Sequence, residues 1–438
     1  MIGEPLVFVA TSDLAGVVRG KAFAETEFDT RLHRGVGWVP TNALITCFDN
    51  LGDGPYGSLG DLLLIPDSET RVQVDFEDGS VAENFAIGNI VTLDGDPWEC
   101  CTRGHLAAAL ERLNSVAGLQ LYSAFEHEFQ LEAPGRNDSN PAFSMEGHRW
   151  QAQFSGVLFA ALRKAGIEPD SFINEYGTKQ YELPIGASTG IRSADEAIIF
   201  RQIVQATAER CRQRASFSPI HNLDGVGNGV HVHISFKNSD GQPMMFDPEG
   251  TYKLSDVAGS FIAGVLKYLP EFLCLTAPTE ISYQRLTPHR WSAAFNNLGE
   301  QDREAAVRIC PVSSRSQEAI ARQFNVEFRA ADAAASPYLV LAALVHAGVQ
   351  GIEEKLPVPG ATTEDLSMLD PGQLQALGVE RLPETLSDAL ARFEHSERID
   401  EWFGATFKQV YIGLKNAELD FLEGLTIEEK CAAYGRVF

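Results

Sequence analysis

The chain has 438 residues, 44% of them apolar, and its 60 Asp and Glu outnumber 35 Lys and Arg to leave a net charge of −25. That length and apolar share allow one large domain with a small one, or two comparable domains. The acidic balance, with an isoelectric point near 4.8, argues against general nucleic-acid binding and against binding to anionic membranes.

Residues 6–10 and 17–22 flank Ser12-Asp13-Leu14-Ala15-Gly16 and read as a β-hairpin. Further short strands are expected over 42–48, 62–65 and 71–76, around a glycine-rich loop at 52–60. Residues 1–100 thus read as a small strand-rich domain, closed by the junction Asp94-Gly95-Asp96-Pro97. From Thr102 the pattern changes. Helical periodicity over 103–117, 148–166, 193–215, 254–269, 333–353 and 384–422 alternates with strands around 120–131, 174–185, 229–236 and 324–330. Residues 101–438 are therefore expected to form an α+β domain with a strand-built site and helices packed behind it. No apolar run reads as reaching the ~18 residues of a membrane span. The N-terminal residues lack a charged-then-apolar leader pattern. The seven cysteines include no C-x-x-C pair, and their odd number argues against a closed disulfide framework. Reduced thiols and a cytoplasmic location are the expectation.

The chemistry lies in the strands. In Tyr122-Ser-Ala-Phe-Glu-His-Glu-Phe-Gln-Leu131, Glu126 and Glu128 stand two apart beside Phe125 and Phe129, so alternation puts both carboxylates on one face. His231-Val-His233 repeats the spacing with imidazoles, and Asn325-Val-Glu-Phe-Arg329 repeats it with Glu327 and Arg329. Glu175 and Glu182 are an odd number apart, so a straight strand would aim them at opposite faces; Gly177 between them offers a turn that makes them converge. Singly, such acids are more often solvated surface groups, and it is their pairing inside apolar strands that makes them a set. Oxygen ligands with one imidazole suit Mg²⁺ or Mn²⁺ better than zinc, and phosphate chemistry is a common use of such sites. Arg285, Arg303, Arg308 and Arg329 follow. Guanidinium groups match phosphate and carboxylate oxygens in bidentate fashion, although ordinary ion pairing is also open to them in so acidic a chain. Gly225-Val-Gly-Asn-Gly229 runs into His231, either as a close backbone approach to a ligand or as a plain turn.

In order and spacing, these segments resemble the glutamine synthetase family over essentially the whole chain. The resemblance is carried by Ala124 to Phe129, Asn174 to Glu182, Gly229 to Ser235, Ser282 to Pro288, Asp302 to Ile309 and Asn325 to Pro337, with Asp61 to Asp67 matching the family's N-terminal signature. It implies a β-grasp domain before a catalytic α+β domain. It also implies a homo-oligomer of stacked rings, ten or twelve subunits in all, with active sites between neighbours. ATP and two or more divalent cations per site are implied too. Glu128, Glu175 and Glu182 would hold the cation nearer the amino acid, and Glu126, His231 and Glu327 the one nearer ATP. His233 and Ser235 match nucleotide-contacting positions. Arg285 and Gly227 match the amino-acid site, and Arg303, Arg308 and Arg329 the groups around the transferring phosphoryl.

Three departures bear on the substrate. The family's loop glutamate, which helps deprotonate ammonium, is replaced by Trp291 in Arg285-Leu-Thr-Pro-His-Arg-Trp-Ser292. The counterpart of its ammonium-binding loop, Gly35-Val-Gly-Trp-Val-Pro-Thr41, holds no acid, and Val226 replaces a substrate-contacting asparagine. Aromatic surface in place of acid implies a larger, partly apolar amine, packed on Trp291 and Trp38 and joined to the γ-carboxylate of glutamate. The plain alternative makes Trp291 a loop anchor. A second reading is an ammonia-dependent glutamine synthetase that draws its ammonium site from Asp49, Glu300 or Asp302. A third is a non-catalytic scaffold, against which the retained acids and arginines weigh, since buried uncompensated charge costs stability. The C-terminal region has no counterpart of the tyrosine adenylylated in some bacterial members.

Overall fold

The computed structural model describes residues 2–132 and 141–438. The first domain holds β1 (Leu6–Ser12), β2 (Val18–Ala24), β3 (Val36–Trp38), β4 (Leu62–Pro66), β5 (Val72–Val74) and β6 (Glu83–Val91). They form a six-stranded sheet in the order β2-β1-β6-β4-β3, with β5 also beside β6. The β1–β2 hairpin stands where the alternation put it, and Val7 and Val9 point into the core with Leu64, Val72, Val74 and Ile87. Residues 42–48 are not a strand. Pro40–Leu44 forms a 3₁₀ turn instead, because proline fixes φ and has no N–H to give a ladder. β6 gives no period-two signal in the sequence, because its central residues are buried without alternation.

The second domain is built on a nine-stranded sheet: β7 (Gln120–Glu132), β8 (Ile173–Asn174), β9 (Gln180–Pro184), β10 (Ser188–Thr189), β11 (Arg214–Ser216), β12 (Val230–Lys237), β13 (Leu298–Gly299), β14 (Val307–Ile309) and β15 (Val326–Phe328). The order is β13-β14-β15-β12-β7-β9-β8, with β10 and β11 pairing to β7. β7 is the axis of this sheet. One face of β7 carries Phe125, His127, Phe129 and Leu131 into a core with Phe154, Phe200 and Phe217. His127 stacks on Phe200 at 4.9 Å, and burial, aided by the Arg201 charge, drives its pKa down, so it stays neutral there.

Behind the sheet, the helices Asp256–Thr276 and Pro337–Glu353 pack on each other. A Cβ on Gly264 would lie 2.2 Å from the Ala347 carbonyl oxygen, so only glycine permits this approach. Asp256–Thr276 is also long and apolar enough to cross a bilayer by length and composition, which corrects the sequence reading. Its most apolar window is 78% buried inside the protein, so it is a core helix here. The periodic stretch 384–422 is three helices, Leu386–His395, Glu397–Phe403 and Ala405–Phe421. Ser396 caps the second by accepting from the Ile399 N–H, and Gly404, at φ 84°, precedes the third. All seven cysteines are free.

Phe129 is fully buried against four aromatic rings, one strand position from Glu128. Phe129→Ala is expected to cost about 3–5 kcal/mol, read as a lower denaturant midpoint.

Candidate active site

Register assembles the site. Glu126 lies opposite His231 across β7 and β12, and Glu128 opposite Glu182 across β7 and β9. His233 lies opposite Glu327 across β12 and β15, and Arg308 opposite Glu327 across β14 and β15. Cross-strand partners share a face, so these side chains form one polar row with the aromatic core behind it. Glu175 reaches the row by another route. The Glu175 N–H donates to the Gln180 carbonyl at 3.0 Å, and the Gln180 N–H donates to the Gly177 carbonyl at 3.2 Å, closing a tight turn before β9. The expected strand over 174–185 is thus a short bridge, a turn and a strand.

A cavity of about 770 Å³ opens on this face, lined by Glu126, Glu128, Glu175, Glu182 and His231 on one side of its chemistry and by Arg285, Arg303, Arg329, Gly227 and Trp291 on the other. A neighbouring cavity of about 460 Å³ is lined by His233, Ser235, Tyr122 and Arg322, and Glu126 borders both. Arg308 and Glu327 line neither. Arg308 Nη1 donates to Glu327 Oε2 at 3.0 Å, and Arg329 also pairs with Glu327. Two arginines expected at the phosphoryl group are therefore engaged by a carboxylate expected to bind a cation, while Arg303 is exposed in the cavity. Trp38 is absent from both linings. It is buried in the first domain, with the Lys21 ammonium 5.9 Å from its ring. Asp49, Glu300 and Asp302, the alternative ammonium ligands, line neither cavity, and Asp49 pairs with Arg19 at 2.9 Å.

Charge is concentrated here. One ligand atom each from Glu126, Glu182 and His231 lies within 4.8 Å of the others. Burial, then the charge of Glu126 and a hydrogen bond with it, pushes the Glu182 pKa far up. Burial and the Glu128 charge raise Glu175 as well. Burial would raise Glu126 too, but the nearby His231 ring, whose Nδ1 lies 4.0 Å from the carboxylate, and a hydrogen bond with His233 at 2.8 Å outweigh it and hold that carboxylate ionised. For Glu327, the charges of His231, Arg329 and His233 overcome burial and bring the pKa down to about 2. His231 Nδ1 is buried without a hydrogen-bond partner among the described residues. Crowded carboxylates that resist ionisation, beside an imidazole nitrogen with no partner, are a donor set that fits a divalent cation.

Several residues that shape the site carried no sequence signal. Gln180 Nε2 donates to the Gly227 carbonyl at 2.9 Å, to Asn228 Oδ1 at 3.0 Å and to Glu128 Oε2 at 3.2 Å. The Gly229 N–H donates to the same Glu128 oxygen at 2.6 Å. Arg290 donates to the carbonyls of Leu223 at 2.6 Å and Gly225 at 3.0 Å, fixing the glycine-rich loop. A Cβ on Gly227 would lie 2.8 Å from Arg285 Cδ, so glycine there lets the guanidinium pass. Arg285 is buried, donating to Ser292 Oγ at 2.8 Å and to the Ala331 carbonyl. The Cys310 thiol lies 3.6 Å from His233 Nδ1 and 3.7 Å from Glu327.

Comparison with known proteins agrees with this architecture. Residues 4–98 match the glutamine synthetase N-terminal domain, and residues 99–434 match the glutamine synthetase catalytic domain. The chain belongs to the glutamine synthetase family. It is accordingly an ATP-dependent carboxylate–amine ligase with a β-grasp domain ahead of an α+β catalytic domain. It is 31% identical to the γ-glutamylpolyamine synthetase of Streptomyces coelicolor, over 98% of this chain and 92% of that protein. It is 28% identical to the glutamine synthetase of Pyrococcus horikoshii, over 95% and 90%. A crystal structure described as a novel glutamine synthase homolog superposes with a TM-score of 0.92 at 38% identity, covering 100% of this chain and 99% of that one.

The electrostatics give a measurable linkage. With its folded pKa raised, Glu182 contributes stability that is present at low pH and lost as pH rises above the unfolded carboxylate range. A cation in the site offsets that loss. Mg²⁺ should therefore raise the Tm more at pH 8 than at pH 6, and its binding should release about one proton. Calorimetry in buffers of different ionisation enthalpy measures the release, and Glu182→Gln should remove most of it.

Proposed function

We propose that this chain uses ATP to activate the γ-carboxylate of glutamate as an acyl phosphate and joins it to an amine other than ammonia. One observation carries the choice of acceptor. Phe143, Tyr176 and Trp291 are 70%, 75% and 65% exposed and line the same cavity as Glu175 and Arg303. Three aromatic side chains on one concave surface leave apolar area uncovered, and a ligand with a carbon chain or ring covers it. Ammonium has no such surface to offer. The name of the Streptomyces relative supports this reading, while that of the Pyrococcus relative leaves ammonia as the rival.

The roles follow the family pattern. Glu128, Glu175 and Glu182 hold one divalent cation, Mg²⁺ or Mn²⁺, and Glu126, His231 and Glu327 another. Bound there, the cations supply positive charge to phosphate and carboxylate oxygens. His233 and Ser235 meet the nucleotide in the smaller cavity, and Arg285 with Gly227 seats the amino acid. A γ-carboxylate oxygen attacks the γ-phosphorus, and the bond to ADP breaks. Arg303, Arg308 and Arg329 offset the charge on the phosphoryl oxygens. The amine nitrogen then attacks the acyl carbon, phosphate departs with the C–O bond electrons, and the nitrogen loses a proton. An alkylammonium has a pKa of about 10, as lysine does, and only the neutral amine attacks. An aromatic wall disfavours the charged form, which helps where the family's loop acid is missing.

We further propose that the chain divides near residue 100, between its two sheets. We also propose that it assembles into stacked rings of ten or twelve subunits, with the sites between neighbours. Exposed Leu6, Val39, Leu51 and Leu59 on the first domain supply apolar surface for such contacts.

Purified protein with ATP, Mg²⁺ and glutamate should release phosphate faster with alkylamines, polyamines or aromatic amines than with ammonia. Trp291→Glu should cut kcat/KM for the best amine about tenfold or more while raising that for ammonia. Turnover of ammonia by the wild type as efficient as that of any amine would refute the acceptor assignment.

A further inference from the structure

We propose that Glu304 is the positioning residue that sets Trp291 against the acceptor cavity, and thereby helps select the amine; this rests on the acceptor reading above. The indole of Trp291 is 65% exposed, so packing does little to hold it. Its place is set by its backbone, and that backbone is unusual. His289 and Trp291 both have positive φ, 63° and 57°, in a region that residues with a side chain rarely occupy. Both of their N–H groups are held by one carboxylate. The His289 N–H donates to Glu304 Oε2 at 3.0 Å, and the Trp291 N–H donates to Glu304 Oε1 at 3.0 Å.

The latch has a far side in the catalytic row. The Trp291 carbonyl accepts from Arg329 Nη2 at 3.1 Å, and Ser292 Oγ accepts from Arg285 Nη1 at 2.8 Å. Trp291 is thus held at its N–H by Glu304 and at its carbonyl by an arginine of the site. Glu304 itself is steadied by Asp302 Oδ1, which accepts its N–H at 2.8 Å. Glu304 also directly follows Arg303 in sequence. One short segment therefore carries a phosphoryl-site guanidinium and the clamp on the acceptor wall. The carboxylate meets the two N–H donors with one oxygen each; a glutamine keeps an acceptor at only one of those two positions, and an alanine at neither.

The test compares wild type, Glu304→Gln, Glu304→Ala and Trp291→Phe. Trp291→Phe is the reference that isolates the Trp291 fluorescence. In Glu304→Ala, the Trp291 anisotropy should fall and its quenching by acrylamide should rise. KM for the preferred amine should increase about tenfold, with Glu304→Gln intermediate. Glutamate-dependent ADP formation without amine should stay within about twofold, because the latch acts on the acceptor step. Unchanged anisotropy in Glu304→Ala would overturn the latch whatever the acceptor is. An equal loss of amine-independent ADP formation would make Glu304 a general structural residue and overturn the specificity role. Preference of the wild type for ammonia would sink the acceptor reading and the specificity role with it, while the anisotropy still judges the latch by itself.

Discussion

The hydrogen-bond register between β7 and its neighbours is the constraint on which the site depends. A slip of one residue on β12 or β9 would turn His231 or Glu182 toward the core and bring apolar side chains into the cavity. Burial on the far face prevents it, because Phe125, Phe129, Val232 and Leu183 have no other place to be buried. The polar row is therefore held in register by the hydrophobic core behind it, and not by interactions among its own like charges. His127, between two acids in sequence, belongs to that core.

Like charges brought this close must be compensated, and the chain does so unevenly. At one end, Glu327 is met by Arg308, Arg329 and the two imidazoles of β12. At the other, Glu128 and Glu182 have no guanidinium of comparable closeness among the described ion pairs, and burial holds Glu182 and Glu175 toward their neutral forms. The amide of Gln180 and the N–H of Gly229 donate to Glu128 but carry no charge. This imbalance is what makes the acid-rich end suited to cations. At the arginine-rich end, the guanidinium groups stay close to the row without being drawn into the acids of the larger cavity.

The loop between Arg285 and Ser292 joins these two regimes to the larger cavity. Its ends are pinned by arginines, its middle by Glu304, and its exposed ring faces a cavity that also holds Tyr176 and Phe143. Specificity in such a loop depends as much on backbone anchors as on the ring presented. Nothing in the residue type of Trp291 distinguishes a loop anchor from the proposed acceptor wall; its exposure is what favours the proposal, since an anchoring indole would be packed.

Much of this was legible in the residues. The two-residue spacing of Glu126 with Glu128 and of His231 with His233 states a shared face wherever strands form, and motif order identified the family. The β1–β2 hairpin and the long core helices were equally readable, because hydrophobic period is a local property. The 3₁₀ turn at Pro40, the unalternating β6, the breaks at Ser396 and Gly404, and the work of Gln180, Arg290 and Glu304 were not. Each depends on partners far along the chain, and an isolated amide or acid gives no periodic signal. By itself, then, the sequence determined which side chains share a strand face and which family the chain belongs to. Only the tertiary structure decided that Trp38 is core while Trp291 is exposed, and that Arg308 and Arg329 meet Glu327, because burial and charge pairing are properties of neighbours in space.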